Sequence, residues 1–210
     1  MQMMKIQNPP TFVLAALLAG KLYRMLETAH TMSISSSNAK CISIRGGDKT
    51  AGFKPITDFI SDMAKDTISI SSKINATALQ FSITAVNEKR AFSALQNFNK
   101  VKQRLEDDDE KSNHIDALMQ PLNLKINVLR EEQCAYCKYL ESLFEEITQR
   151  IRAARIIVTN SRTEASRAGE YKANLFSIAD DLELCSQSIN EEIKRCKQYL
   201  DDLINMIGKQ

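Results

Sequence analysis

RGGDKTAGF, residues 45–53, holds three of the six glycines in a chain of 210 residues. The sequence on either side reads as long helix, so the stretch reads as a reversal of direction. Gly46-Gly47 lies just past the last turn of the preceding helix, where glycine relieves the left-handed cap conformation. Pro55, with its fixed φ and missing N–H, suits the first turn of the next helix. RAGEYKANL, residues 167–175, interrupts a second helical region 122 residues further on, again through a glycine, Gly169.

Working outward from these turns, four helical segments emerge. The first, from about Thr11 to Arg45, carries Ala15, Leu18, Leu22, Met25, Ala29, Met32, Ser36 and Ala39 on one stripe. The second carries Ile56, Ile60, Met63, Thr67, Ile70, Ile74, Thr77, Phe81 and Thr84, then Ala91, Leu95, Phe98 and Leu105. Its spacing alternates four and three, the period of a heptad seam rather than of a strand. The third carries Leu122, Ile126, Leu129, Tyr136, Leu140, Leu143, Ile147, Ala154 and Ile157. The fourth, capped by Asn174, carries Leu175, Ile178, Leu182, Cys185, Ile189, Cys196, Leu200, Leu203 and Ile207. The acidic run EDDDE at 106–110 separates the halves, and Ser112 or Asn113 can cap the third helix, with Pro121 starting or kinking it.

The expected fold is therefore all-α: an elongated antiparallel four-helix bundle made of two hairpins in one chain. The expected divisions are a flexible start at 1–10, a first hairpin at 11–105 turning near 46–53, an acidic connector at 106–121, and a second hairpin at 122–210 turning near 169–174. Short loops join antiparallel neighbours, so both turns can lie at one end, with the bundle thinning to two helices where the shorter arms run out. With six Gly, four Pro and no Trp, the chain lacks the turn residues that a sandwich or a doubly wound sheet needs.

Composition also bounds function. A net charge of +2 with interspersed signs gives no electrostatic footprint for nucleic acid. FVLAALLAG at 12–20 is shorter than the ~20 residues that span a bilayer, and membrane contact through 11–26 is the weakest of the functional readings. Five cysteines (41, 134, 137, 185, 196) without framework spacing fit reduced thiols in a cytoplasmic setting. CAYC at 134–137 lacks a second pair to complete a zinc site, Cys137 reads as small core filler, and Cys41, Cys185 and Cys196 read as core or near-core. Phosphate loops, nucleophile elbows and His-containing metal boxes are absent from the sequence, so no enzyme and no cofactor is expected.

The two turns repeat one pattern. Windows 38–60 and 160–182 share Asn38/Asn160, Arg45/Arg167, Gly47/Gly169, Ala51/Ala173, Ile56/Ile178 and Asp58/Asp180, which suggests an internal duplication. At these residues the sequence resembles the cytoplasmic signalling tip of bacterial methyl-accepting chemotaxis receptors. NAKCISIRGGDKTAGF keeps that family's Asn38, Ala39, Arg45, Gly47, Gly52 and Phe53, with Ile42 replacing a tip glutamate. NSRTEASRAGEYKANL keeps Asn160, Glu164, Ala165, Arg167, Ala168, Gly169 and Glu170, without the later glycines.

The resemblance implies a pseudo-dimer, because in the family two chains each supply one hairpin. It implies a non-catalytic signalling or scaffold protein whose tips meet a chemosensory histidine kinase, a coupling protein or other receptor tips. Asn38, Arg45, Asn160, Glu164 and Arg167 would make those contacts, while Gly46, Gly47, Gly52 and Gly169 set the turns. The second tip, with Glu164 and Arg167 together, is expected to dominate. The alternative is a structural coiled-coil protein that keeps the fold without such a partner. The acidic pairs Glu131-Glu132, Glu145-Glu146 and Glu191-Glu192 read as exposed helix charge.

Overall fold

The computed structural model describes residues 11–104 and 109–207. Helix α1 (Thr11–Gly46) enters a 3-10 turn at Gly47–Phe53 and leaves it as α2 (Lys54–Gln103). Helix α3 (Asp109–Arg167) reverses through a shorter 3-10 turn, Gly169–Tyr171, into α4 (Lys172–Ile207). Nearly every described residue is helical and none is in a strand.

Each helix packs on two others: α1 on α2 and α4, and α3 on α2 and α4. Polar pairs fix their directions. Ser43 of α1 meets Thr50 of the turn, and Ser36 meets Thr57 across α1 and α2. Asp66 meets Arg150, Glu88 meets Arg130, and Lys102 meets Asp116, so α3 runs back along α2. Arg162 meets Asp180 and Glu145 meets Lys197 across α3 and α4. Lys21 and Arg24 lie against Glu192, while Lys49 of the first turn meets Glu170 of the second. All four neighbouring pairs are antiparallel, and the two turns touch at one end.

The apolar stripes account for the core. Met25, Met32, Ile60, Ile74, Phe81, Leu140, Ile147, Leu182 and Leu200 are almost wholly buried. Burial at each such aliphatic position contributes about 1.5–3 kcal/mol, which is what single long helices lack alone. The repeat extends through this core. Leu18, Met25, Ala29, Met32, Ser36, Ala39 and Ser43 are buried, and so are Leu140, Ile147, Ile151, Ala154, Val158, Ser161 and Ala165, each 122 residues on. The same offset carries Phe53, Ile56, Ile60, Met63, Ile74, Ala78 and Phe81 onto Leu175, Ile178, Leu182, Cys185, Cys196, Leu200 and Leu203, buried again.

Several expectations need correction. Residues 109–121 are helix rather than connector, and α3 passes through Pro121 without ending. Pro121 and Ala117 are both exposed, so water can serve the carbonyl that the proline leaves unpaired. Asn174 does not cap α4, which starts two residues earlier directly from the 3-10 turn. Cys41 is exposed rather than near-core. Glu192, expected on the surface, is buried. The expected flexible start at 1–10, Leu105, the acidic residues 106–108 and the side chains of Ala15 and Leu22 lie outside the described residues.

Candidate functional site

The two turns solve one problem by different local means. Gly47 and Gly169 have φ of +52° and +58°, the only positive values among the described residues, and they occupy equivalent positions in the repeat. The first turn is longer and is stapled by hydroxyls: Thr50 Oγ1 donates to the Ser43 carbonyl at 2.7 Å, and Ser43 Oγ donates to the Thr50 carbonyl at 3.1 Å. The second turn has Ala165 and Lys172 at those positions and closes within three residues.

Gly46 and Gly52 do not need positive φ. A Cβ on Gly46 would collide with the buried side chain of Thr50, and one on Gly52 would meet the Glu164 carboxylate, whose Cδ would lie 2.8 Å away. The second contact crosses from one hairpin to the other. Glu164 is thus partly enclosed, its side chain 31% exposed, and it reaches Arg167 at 3.4 Å while Arg167 stays 72% exposed. Glu164 and Lys49–Glu170 together tie the tips to each other.

Below each turn an ion pair stands at positions related by the same offset. Lys40 donates to Asp58 at 2.8 Å, and Arg162 donates to Asp180 at 2.7 Å, both residues shifted by 122. The hydrogen bond holds Asp58 below its ordinary pKa and Lys40 above its own, and Asp180 with Glu183 raises Arg162 likewise. The sequence repeat shows the aspartates as identities, while the cations differ in type and are found only once the helices are paired.

Asn38, Arg45, Asn160 and Arg167 are all exposed, on matching outer strips of α1 and α3. The strips differ in chemistry. Around Asn38 and Arg45 stand Ile34, Cys41 and Ile44, with Ile44 71% exposed. The equivalents on α3 are Ile156, Thr163 and Ser166, so only Ile156 keeps apolar character there. The tip therefore offers an apolar-and-cationic strip on one hairpin and a mainly polar one on the other.

Elsewhere, Cys134 is exposed and Cys137 buried, so the C-x-x-C pair does not converge on one face. Burial pushes the Cys137 and Cys196 thiols up to about 12, which leaves them protonated. Among the described residues no group of His, Cys, Asp and Glu is arranged to hold a metal, and no helix is long and apolar enough to cross a membrane. No protein-family model matches the chain, and no curated protein or solved structure is similar to it.

Proposed function

We propose that this chain is a non-catalytic cytoplasmic protein, an elongated four-helix pseudo-dimer whose paired hairpin tips form a protein-binding end. The observation that carries this reading is the conjunction at the tips. Two turns of matched sequence, each with its positive-φ glycine, stand side by side with Asn38, Arg45, Asn160 and Arg167 exposed around them. The receptor-tip resemblance rests on these same residues, so the partners proposed are chemosensory: a histidine kinase, its coupling protein or receptor tips.

Within this proposal the hairpins share the work unevenly. Glu164 is engaged at Gly52, so its share is to orient Arg167 rather than to reach a partner directly. The exposed Ile34, Cys41 and Ile44 move the larger share to the first hairpin, because desolvated apolar area with a central Arg is what dominates contact energy. Titration of the purified chain against a coupling protein and a kinase tests this. Arg45→Ala and Ile44→Ser should each weaken binding by roughly 30-fold, with Arg167→Ala doing less. Absence of binding to either protein would favour the structural coiled-coil reading, which the loss of the tip glutamate at Ile42 already supports.

A further inference from the structure

The two hairpins meet along two seams, α2 on α3 and α1 on α4, and the 122-residue offset relates one seam to the other. One layer shows how differently they are built. On the α2–α3 side it holds Ile70 and Leu143, both buried. The equivalent residues on the α1–α4 side are Glu192 and Lys21. The Glu192 side chain is only 9% exposed, and its contacts with Lys21 and Arg24 of α1 are 3.8 and 3.9 Å long. Those are ion-pair distances, too long for hydrogen bonds. A hydrogen bond of 3.1 Å does reach Glu192 from Arg195, but it comes from the same helix and holds nothing across the seam. Its other oxygen is enclosed and accepts no hydrogen bond.

The α2–α3 seam treats its own buried carboxylate differently. Glu88 is as deeply buried as Glu192, yet both its oxygens accept from α3, from Arg130 at 2.8 Å and from Gln133 at 2.9 Å. Lys102 donates to Asp116 across the same seam. Among the described residues no side-chain hydrogen bond crosses from α1 to α4, where the polar contacts are the two long ones to Glu192. A buried carboxylate without its hydrogen bonds carries a desolvation cost that an apolar pair or a satisfied network avoids. Water reaching Glu192 and Lys21 removes that cost, so parting is favoured at this seam over the other.

We propose that the bundle opens along α1–α4, with α2–α3 as the hinge on which the two hairpins turn. The chain carries its own reporters of this motion. Cys185 lies one heptad from Glu192 on the same face of α4, and Cys196 lies one turn beyond it, near both Glu192 and Lys21. Cys137 lies on α3 between Arg130 and Arg150, which both pair with α2. In the closed bundle Cys185, Cys137 and Cys196 are 8%, 3% and 0% exposed, so exposure alone would make Cys196 the last to react. Opening along α1–α4 gives another order: Cys185 and Cys196 together, ahead of Cys137.

Thiol labelling of the full chain under native conditions, read residue by residue by mass spectrometry, tests the proposal. Cys41→Ser and Cys134→Ser first remove the two exposed thiols. Cys185 and Cys196 should then react at least about 10-fold faster than Cys137. Lys21→Leu combined with Glu192→Ile copies the Leu143 and Ile70 layer onto the α1–α4 seam. It should slow both α4 thiols by about 10-fold and leave Cys137 and the helicity unchanged. One common rate for the three thiols, Cys137 ahead of Cys196, or Cys196 reacting without Cys185 would overturn the proposal before any seam variant is made. A double variant of unchanged helicity whose α4 thiols react as fast as before would overturn it too.

Discussion

Four glycines near the turns differ in what they are needed for. Gly47 and Gly169 supply backbone conformation, so Gly47→Val should destabilise by about 1–3 kcal/mol, while Gly47→Asn should cost far less because asparagine tolerates the left-handed region. Gly46 supplies space beside Thr50, whose branched side chain is buried and hydrogen-bonded to Ser43 and therefore has nowhere to go. Gly46→Ala should cost about 1–3 kcal/mol despite an ordinary backbone at that position. Gly52 also supplies space, but the atoms above it belong to the end of the Glu164 side chain. Gly52→Ala should therefore cost less than about 0.5 kcal/mol, and should instead free Glu164 from the first tip. Chemical denaturation of the four variants orders them. If Gly52→Ala proved the costlier, Glu164 would be a rigid clamp between the hairpins rather than a movable one. The sequence pattern shows these glycines as turn formers together, because φ and clearance leave the same letter.

At the scale of helices, the seams were legible because burial in a long helix repeats every three or four residues. Nearly every stripe position read on α2 and α4 is buried, whether apolar or, as at Thr67 and Thr77, carrying a hydroxyl that returns to its own helix. Pro121, Asn174 and Cys41 were less legible. Helix ends depend on the geometry of the neighbouring turn, and a lone cysteine fits either face of a stripe. Glu192 was hidden for another reason: nothing local marks a carboxylate as buried, yet it occupies the repeat position of Ile70. One of its oxygens is fully enclosed without a hydrogen bond, beside Lys21, Arg24 and Arg195. Glu192→Ile should accordingly be neutral or stabilise by ~1–2 kcal/mol. Glu88→Ala should destabilise by about 2–3 kcal/mol, because it strips Arg130 and the 1% exposed Gln133 of their acceptor. Thermal melts of both variants check this pair of opposite signs. The thiols give a pH test. Folding holds Cys137 and Cys196 protonated to about pH 12, whereas an unfolded thiol ionises near 9, so the unfolded state sheds the protons first. Stability should fall as pH rises from about 9 toward 12, and Cys137→Ala with Cys196→Ala should flatten that slope.

Over the whole molecule, burial recurs at the 122-residue offset that the two turns share. Equivalent buried positions run from Leu18 to Phe81 and from Leu140 to Leu203, far beyond the tip windows where the two copies share identities. In the core each hairpin packs against the other, α1 on α4 and α2 on α3. The start of α1 and the end of α4 lie at the same level on neighbouring antiparallel helices, as the contact of Lys21 and Arg24 with Glu192 requires. A circular permutant that joins residue 207 to residue 11 through a short Gly/Ser linker, and opens the chain between residues 104 and 109, should then keep its helix content and cooperative melt. Going further, peptides 11–104 and 109–207 expressed separately should combine one to one, since the apolar face of each is the face that the other covers. Isothermal titration and circular dichroism of the mixture measure this, with a gain in helicity on mixing as the expected result. Halves that remain folded alone and ignore each other would show that each hairpin closes on itself, and the pairing of the two copies would have to be abandoned.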